Sequence, residues 1–148
     1  MRDPLNTAAQ RENARTLARI LGVEVESATR SLDVSIAVTF DPDDAAATLL
    51  GQQTTDLLRR TIREAGLTIH KHSAAAEVVI GSASPRTAAP TLWANSVDGR
   101  AVIGRQRPPA AEWAQLHPAL SLVSACYVTS AALKLTTGEA IPYRRLIH

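Results

Sequence analysis

The fold is decided by the stretch LDVSIAVTFDPDD at residues 32–44. Apolar side chains occupy every even position from Leu32 to Phe40, and this two-residue period is typical of a β-strand with one strongly buried face. The acids that follow predict the start of a helix, because Asp41 can accept free amide hydrogens and Pro42 suits the first helical position. A strand that leads directly into a helix indicates an α/β fold.

The rest of the chain alternates helices with strands. Residues 6–21 have the apolar spacing of an amphipathic helix, and the helix that begins at Asp41 is predicted to extend to Ala65 although Gly51 weakens it. Further strands are predicted as a short one at Val23 and Val25, a short one at Leu67–His70, a buried one at Glu77–Gly81, and a hairpin of Thr91–Asn95 and Arg100–Gly104 joined through Val97-Asp98-Gly99.

The C-terminal part is predicted to be helical. A short helix is expected around Ala110–Gln115, followed by a long helix at His117–Thr137. The long helix is apolar most of the way round, so we expect it to be buried on several sides, within the domain or at a subunit interface. Cys126 is expected to be one of its small core residues, and Trp93 is expected to pack in the core. The sequence therefore predicts one Rossmann-like α/β domain over residues 1–148, with a mostly parallel sheet, a late β-hairpin and a long buried C-terminal helix.

Composition limits the classes of function. The chain has 148 residues, of which 45% are hydrophobic and 20% charged, as in globular proteins. Its arginines are dispersed among acids at a net charge of +2, so we expect no nucleic-acid partner. No apolar run reaches about 18 residues, so no membrane association is expected and the protein is predicted to be cytoplasmic. A lone cysteine, Cys126, excludes an internal disulfide.

Several motifs from residue 77 onward resemble the second half of the ThiF/E1-like adenylating enzymes. The buried strand Glu77–Gly81 is similar to that family's D-V-V-I-D strand, and Pro90–Gly104 is similar to its P-V-V-x-A-x-x-x-G-x-x-G segment. His117-Pro118 resembles its helix start, ALKLTTG at residues 132–138 resembles its helix end, and Ile141-Pro142-Tyr143 extends the similarity. The resemblance covers residues 77–145 and implies a Rossmann-like fold.

The family's catalytic motifs have no counterpart in this chain. The G-x-G-x-x-G turn that binds ATP after the first strand is missing, and its place holds Asp41, Asp43 and Asp44, whose charges repel phosphate. The C-x-x-C zinc pairs and the acceptor cysteine are missing as well. We therefore expect no cofactor and a degenerate or shortened member of the family.

Two kinds of candidate site emerge from the sequence. Strand ends of an open α/β sheet line its ligand crevice, and the candidate ligand-binding residues there are Ser82, Ser84, Arg86, Asn95 and His70. The candidate interface residues, on or near the long helix, are Trp113, Leu120, Val123, Tyr127 and Ala131. A solvated polar loop explains the candidate ligand-binding residues more simply than a ligand site does. Asp41, Asp43 and Asp44 could also hold a metal, but capping of a helix explains them better. For His70 and His72, an exposed strand end is a better explanation than a metal site.

The leading hypothesis is a non-catalytic ThiF/E1-like binding or scaffold protein. It would self-associate as a dimer through the long helix and hold a protein or peptide partner. One alternative is a small-molecule enzyme with its site at the carboxyl ends of the strands. A further alternative is one half of a split adenylating enzyme.

Overall fold

The computed structural model describes residues 4–97, 100–108 and 118–137. The elements in these ranges, in chain order, are α1 (Pro4–Leu21), α2 (Val25–Leu32), β1 (Ser35–Thr39), α3 (Ala45–Arg59), β2 (Glu64–Gly66), β3 (Ala76–Ile80), β4 (Thr91–Val97), β5 (Arg100–Gly104) and α4 (Pro118–Thr137). The predicted short helix with Trp113 and the Asp98-Gly99 turn lie outside these ranges.

The strands form one sheet in the order β2-β1-β3-β4-β5. The first four strands are parallel, and β5 runs antiparallel to β4. The predicted α/β class, the mostly parallel sheet and the late hairpin are therefore confirmed. Because the chain moves from β1 to β2 on one side and to β3 on the other, the topological switch point lies between β1 and β3.

One face of the sheet carries the apolar core. Residues that alternate along β1 and pair across the sheet point to the same side, which places Ile36 and Val38 on one face with Val78 and Leu92. Each of the four described helices contributes to the core cluster on this face, through Ala14 of α1, Leu32 of α2, Leu50 and Leu58 of α3, and Ala125, Val128 and Ala132 of α4.

The opposite face of the sheet is also buried and carries polar side chains beside the apolar Ala37, Val79 and Trp93. Its polar residues include Ser35, Thr39, Glu77 and Asn95, each no more than 4% exposed. Polar groups at this depth require hydrogen-bond partners, because burial removes them from water. The contacts that cover Glu77 come from the loop at residues 81–90, which connects β3 directly to β4 without a helix.

A helix replaces the strand that was predicted at Val23 and Val25. Both valines are 42% exposed, so their alternation with acids does not mark a buried strand face. Helix α2 instead buries Ala28 and Leu32, which are four residues apart and therefore share one helical face. The strand prediction was wrong because the spacing of the residues that become buried is helical, whereas the alternating valines stay exposed.

Helix α3 begins one turn later than predicted. Asp44, and not Asp41, is the N-cap residue, and its side chain accepts a hydrogen bond of 3.0 Å from the Ala47 amide. Asp41 closes the preceding turn by accepting from the Asp43 amide at 2.9 Å. The helix starts at Ala45 because the Asp44 side chain satisfies one of the free amides of the first turn.

Helix α3 also ends earlier than predicted, at Arg59 rather than Ala65. Side chains of α1 bind the carbonyls at this end: the Gln10 amide donates to the Arg59 carbonyl and the Asn13 amide to the Arg60 carbonyl, both at 2.9 Å. These contacts satisfy carbonyls that a longer helix would have paired internally. A tertiary contact, and not a glycine, thus fixes the end of the helix.

The earlier end of α3 shifts the next strand. Strand β2 is Glu64–Gly66, and the prediction of a strand at Leu67–His70 was wrong. Glu64 pairs with Ser35 in parallel register, whereas Leu67 is 42% exposed beyond the strand.

Helix α4 confirms the predicted long helix but is buried on one side only. Ser121, on the buried side, donates a 2.6 Å hydrogen bond to the Gln53 side chain of α3. Cys126 is exposed, so the prediction of a core cysteine was wrong; it lies on the side of the helix that faces away from the sheet. By length and composition alone, residues 118–136 would also be apolar enough to cross a membrane.

Gly51 allows α3 to approach the end of β1 closely. A Cβ atom at this position would overlap with the ring of Phe40, which is itself buried. We expect Gly51→Ala to lower the free energy of unfolding by about 1–3 kcal/mol through overpacking, although alanine is intrinsically the better helix former. Urea denaturation followed by circular dichroism measures this. Gly104→Ala, where the added Cβ meets open space, is the matched control, and a Gly51→Ala protein as stable as the parent would contradict the packing.

Candidate functional site

The most unusual side chain of the sheet is a fully buried carboxylate. Glu77 is the second residue of β3, and all five residues of this strand are buried. Its neighbours Ala76 and Val78 point to the helical face, so the Glu77 side chain belongs to the polar face. Burying a carboxylate is costly unless hydrogen bonds replace the lost water.

Four hydrogen bonds replace that water. Oε1 of Glu77 accepts from the hydroxyl of Thr39 and from the backbone amide of Arg86, both at 2.7 Å. Oε2 accepts from the amide of Thr87 at 2.9 Å and from its hydroxyl at 2.7 Å. Both oxygens are therefore occupied by donors from β1 and from the loop at 81–90.

These hydrogen bonds determine the ionisation of the carboxyl. Burial by itself raises the pKa of Glu77, but hydrogen bonds from the Arg86 amide, the Thr39 hydroxyl and Thr87 favour the charged form. The donors prevail, and the pKa lies below its ordinary value of 4.5. Glu77 is thus a carboxylate at neutral pH.

The side chain of Arg86 extends the same network toward β2. Its Nε donates to the Thr39 hydroxyl at 3.0 Å, and that hydroxyl in turn donates to Glu77. A terminal nitrogen of Arg86 donates at 2.7 Å to the carbonyl of Leu67, directly after β2. The guanidinium therefore connects the loop at 81–90 with the exits of two strands.

The chemistry of this network is that of an anchor. A general base needs a free lone pair within reach of a substrate proton, and the Glu77 oxygens are buried and each hold two donors. Sequence reasoning did not single out Glu77. The available signal was an acidic residue in a strand whose other positions are apolar, since a charge on a buried strand must be paired.

The five candidate ligand residues fall into two groups. Ser82 and Asn95 lie at neighbouring strand ends, because the Gly81 amide donates to the Ala94 carbonyl. Ser82 and the following Ser84 are exposed, whereas Asn95 is 4% exposed and its side-chain oxygen has no hydrogen-bond partner in the part of the chain that the structure describes.

The remaining two candidates lie on the side of β2. The Arg86 guanidinium is bound to the Leu67 carbonyl, and His70 follows three residues later in the same loop. His70 is exposed, and its Nδ1 accepts from the amide of His72 at 3.3 Å. The five candidate ligand residues therefore do not form one site: Ser82, Ser84 and Asn95 lie near the ends of β3 and β4, whereas Arg86 and His70 lie near the end of β2.

The turn after β1 holds carboxylates where a nucleotide-binding fold would place free amides. The side chains of Asp41 and Asp44 accept from backbone amides of the turn and of the first helical turn. These amides are consequently unavailable to a phosphate. Within residues 4–97, 100–108 and 118–137, no group of three or more His, Cys, Asp or Glu side chains is placed to hold a metal ion.

An apolar surface lies on the outer side of α4. We define the α4 patch as Leu120, Leu122, Val123 and Tyr127, which are 60%, 47%, 54% and 68% exposed. A cavity of about 380 Å³ adjoins it between α4 and the edge strand β5, lined by Ala101, Ile103, Val123, Ser124 and Tyr127. Of the other predicted interface residues, Ala131 is half-buried against the core, and Trp113 lies outside the described residues.

Comparison with known families gives one match. A family model described as the E1 N-terminal domain, a domain related to ubiquitin-activating enzymes, matches residues 6–147. The match extends over both halves of the chain and is not confined to the C-terminal segment that carries the resemblance. Comparisons with curated proteins and with solved structures find no match.

The Glu77 network makes stability depend on pH in a defined direction. Because the pKa is lowered in the folded state, the carboxylate adds stability above the unfolded pKa, near 4.5, and this contribution is lost as the pH falls through the folded pKa. We expect Glu77→Gln to lower the free energy of unfolding by about 2–3 kcal/mol at pH 7, since an amide nitrogen would face backbone donors.

The measurement is urea denaturation of both proteins from pH 7 to pH 3. The difference between parent and variant should shrink below about pH 4.5. Glu64→Gln, on the adjacent strand β2 with an exposed side chain, is the matched control and should change stability little. A difference that stays constant down to pH 3 would show that the charge of Glu77 contributes nothing.

Proposed function

The chain belongs to the E1 N-terminal domain family, and from this premise we propose that it is a non-catalytic binding protein that self-associates through α4 and holds a protein or peptide partner. The observation that carries the proposal is the α4 patch. Leu120, Val123 and Tyr127 follow one another at helical spacing on the exposed side of α4, Leu122 is exposed at its flank, and the other side of the helix packs into the core. Contiguous exposed apolar surface of this kind marks interaction sites in soluble domains.

The charge of α4 favours a second copy as the occupant of the patch. Its twenty residues contain one charged side chain, Lys134, near the C-terminal end. Two copies related by a two-fold axis bring the same surface into contact with itself, so a patch without charge meets no repulsion from its own image. Tyr127 supplies the large aromatic side chain that commonly contributes most to such interfaces.

The adjoining strand enlarges this surface. β5 is an edge strand of the sheet, and its residues Ala101 and Ile103 line the cavity beside α4. The cavity between β5 and α4 offers space for a side chain of the opposing copy. In a symmetric dimer each copy would fill the cavity of the other, which protects an otherwise open sheet edge.

The proposal of a non-catalytic role is supported by the chemistry of the two strand ends at the switch point. After β1, the carboxylates of Asp41 and Asp44 accept hydrogen bonds from backbone amides of the turn and of the first turn of α3. In β3, the carboxylate of Glu77 accepts from the loop at 81–90. As part of the same proposal, β3, the β4–β5 hairpin and α4 correspond in order to the C-terminal half of ThiF/E1-like enzymes, retained as architecture without adenylation.

Self-association predicts a concentration-dependent dimer that acidic substitutions in the α4 patch abolish. Leu120→Glu with Tyr127→Glu would place two like charges from each copy in the interface, which costs several kcal/mol. Sedimentation velocity at about 1–200 μM should show a dimer for the parent and a monomer for the variant. Ile20→Glu, an equally drastic change at a 71% exposed apolar residue of α1, should leave the dimer intact. A parent that stays monomeric would overturn the self-association.

The absence of nucleotide chemistry is tested separately. A ligand at 100 times its dissociation constant stabilises a protein by about 2.7 kcal/mol, which is several degrees of melting temperature for a domain of this size. We expect millimolar ATP with magnesium to leave the thermal transition unchanged. A saturable rise in melting temperature that a non-hydrolysable acyl-adenylate analogue reproduces would instead support an adenylating enzyme or one half of a split one.

A further inference from the structure

A second cavity lies between α1, α2 and the turn that precedes β2. Its volume is about 380 Å³, and its lining comes from one face of α1, from α2 and from residues 61–63. Because residues 32–33 and 63 directly precede β1 and β2, it opens at the amino ends of these strands, opposite to the end where α/β enzymes hold their ligands. No residue of the Glu77 network or of the α4 patch lines it.

Four arginines line this cavity: Arg11, Arg15, Arg30 and Arg63. One acidic residue, Asp33, lines it with them, so the lining has an excess of three positive charges. The sequence analysis treated these arginines as dispersed surface charge. Folding brings them together because Arg11 and Arg15 are one turn apart on α1, and α2 packs beside that helix.

Two of the four arginines have their charge matched within the chain. Arg63 is paired with Asp33 at 3.4 Å, and Arg15 with Glu12 at 3.5 Å. Among the described residues, neither the Arg11 side chain nor the Arg30 side chain has an ion-pair or hydrogen-bond partner. The cavity therefore presents two guanidinium groups that are free to bind an anion, one from each helix.

The rest of the cavity wall is partly aliphatic. Ala14 and Leu32 are buried core residues whose side chains contribute to it, and Val25 lies at its rim. A ligand that fits such a wall combines an apolar group, which covers the aliphatic part, with carboxylates that reach the separate arginines. Arginine suits this role because its planar fork matches a carboxylate in bidentate geometry.

We propose that this arginine cavity binds an acidic peptide segment of a partner protein, in which carboxylates flank an apolar side chain. The proposal rests on the proposed function as a binding protein and names the partner's chemistry and place of contact. A peptide fits better than a single phosphate because the wall also includes the aliphatic side chains of Ala14, Val25 and Leu32, which a phosphate would leave uncovered.

The test is an NMR titration of the ¹⁵N-labelled full chain with the peptide acetyl-ELEELE-amide. Amide resonances of Arg11, Arg15, Thr29 and Arg30 should shift in a saturable way. The peptide acetyl-KLKKLK-amide, which keeps the leucines and reverses the charge, should shift none of them. Affinity for the acidic peptide should fall as salt rises, because the arginines are exposed.

A pair of double variants separates this cavity from general positive charge. R11Q with R30Q should weaken binding about five- to tenfold, since two exposed ion pairs are lost. R19Q with R105Q removes the same charge from exposed arginines outside the cavity and should weaken binding less than twofold. Thermal melts should be unchanged in both, because none of these four side chains forms a hydrogen bond with described residues.

Three results would overturn the proposal. The first is that the peptide shifts resonances outside the cavity and not those within it. The second is an equal loss of affinity in the two double variants. The third is full displacement of the peptide by an equal concentration of inorganic phosphate, which would assign a small-anion site instead. Sedimentation velocity of the parent protein keeps this outcome distinct from the proposed function. A parent that dimerises but does not bind the acidic peptide would refute the acidic-peptide site alone.

Discussion

The arrangement of the sheet depends on one buried carboxylate. The helical face of the sheet is held by apolar packing, whereas the opposite face buries polar side chains, among them Glu77, beside the apolar Ala37, Val79 and Trp93. Glu77 accepts four hydrogen bonds from Thr39, Arg86 and Thr87, and so attaches the loop at 81–90 to the centre of the sheet. The donors keep the carboxyl ionised despite its burial, so that a charged group connects this loop to the sheet.

This arrangement influences where the protein can bind other molecules. The side chains of the Glu77 network near the switch point are hydrogen-bonded to one another, and this stabilises the fold. Elsewhere among the described residues lie the α4 patch with its adjoining edge strand and the arginine cavity between α1 and α2. One is apolar and free of charge, whereas the other is cationic. Membership of the E1 N-terminal domain family is consistent with a domain that binds and assembles, which remains the proposal.

The sequence predicted the elements whose signal is local. The strand period before Phe40, the apolar run of β3, the hairpin and the length of α4 all lie within single segments. The prediction of a short strand at Val23 and Val25 was wrong because four alternating residues carry too little information. The end of α3 is fixed by Gln10 and Asn13, almost fifty residues away, which no local pattern reveals. The arginine cavity and the donors to Glu77 likewise come from segments that are distant in sequence.

Amide hydrogen exchange, read residue by residue by NMR at neutral pH, tests the role of the buried carboxylate most directly. Arg86 and Thr87 lie in a loop without secondary structure, yet their amides donate to Glu77. The account predicts that these two amides exchange as slowly as those of β3, while the exposed amides near Ser82 and Ser84 exchange rapidly. Rapid exchange along the whole loop at 81–90 would contradict it, because the loop would then not be held by the carboxylate.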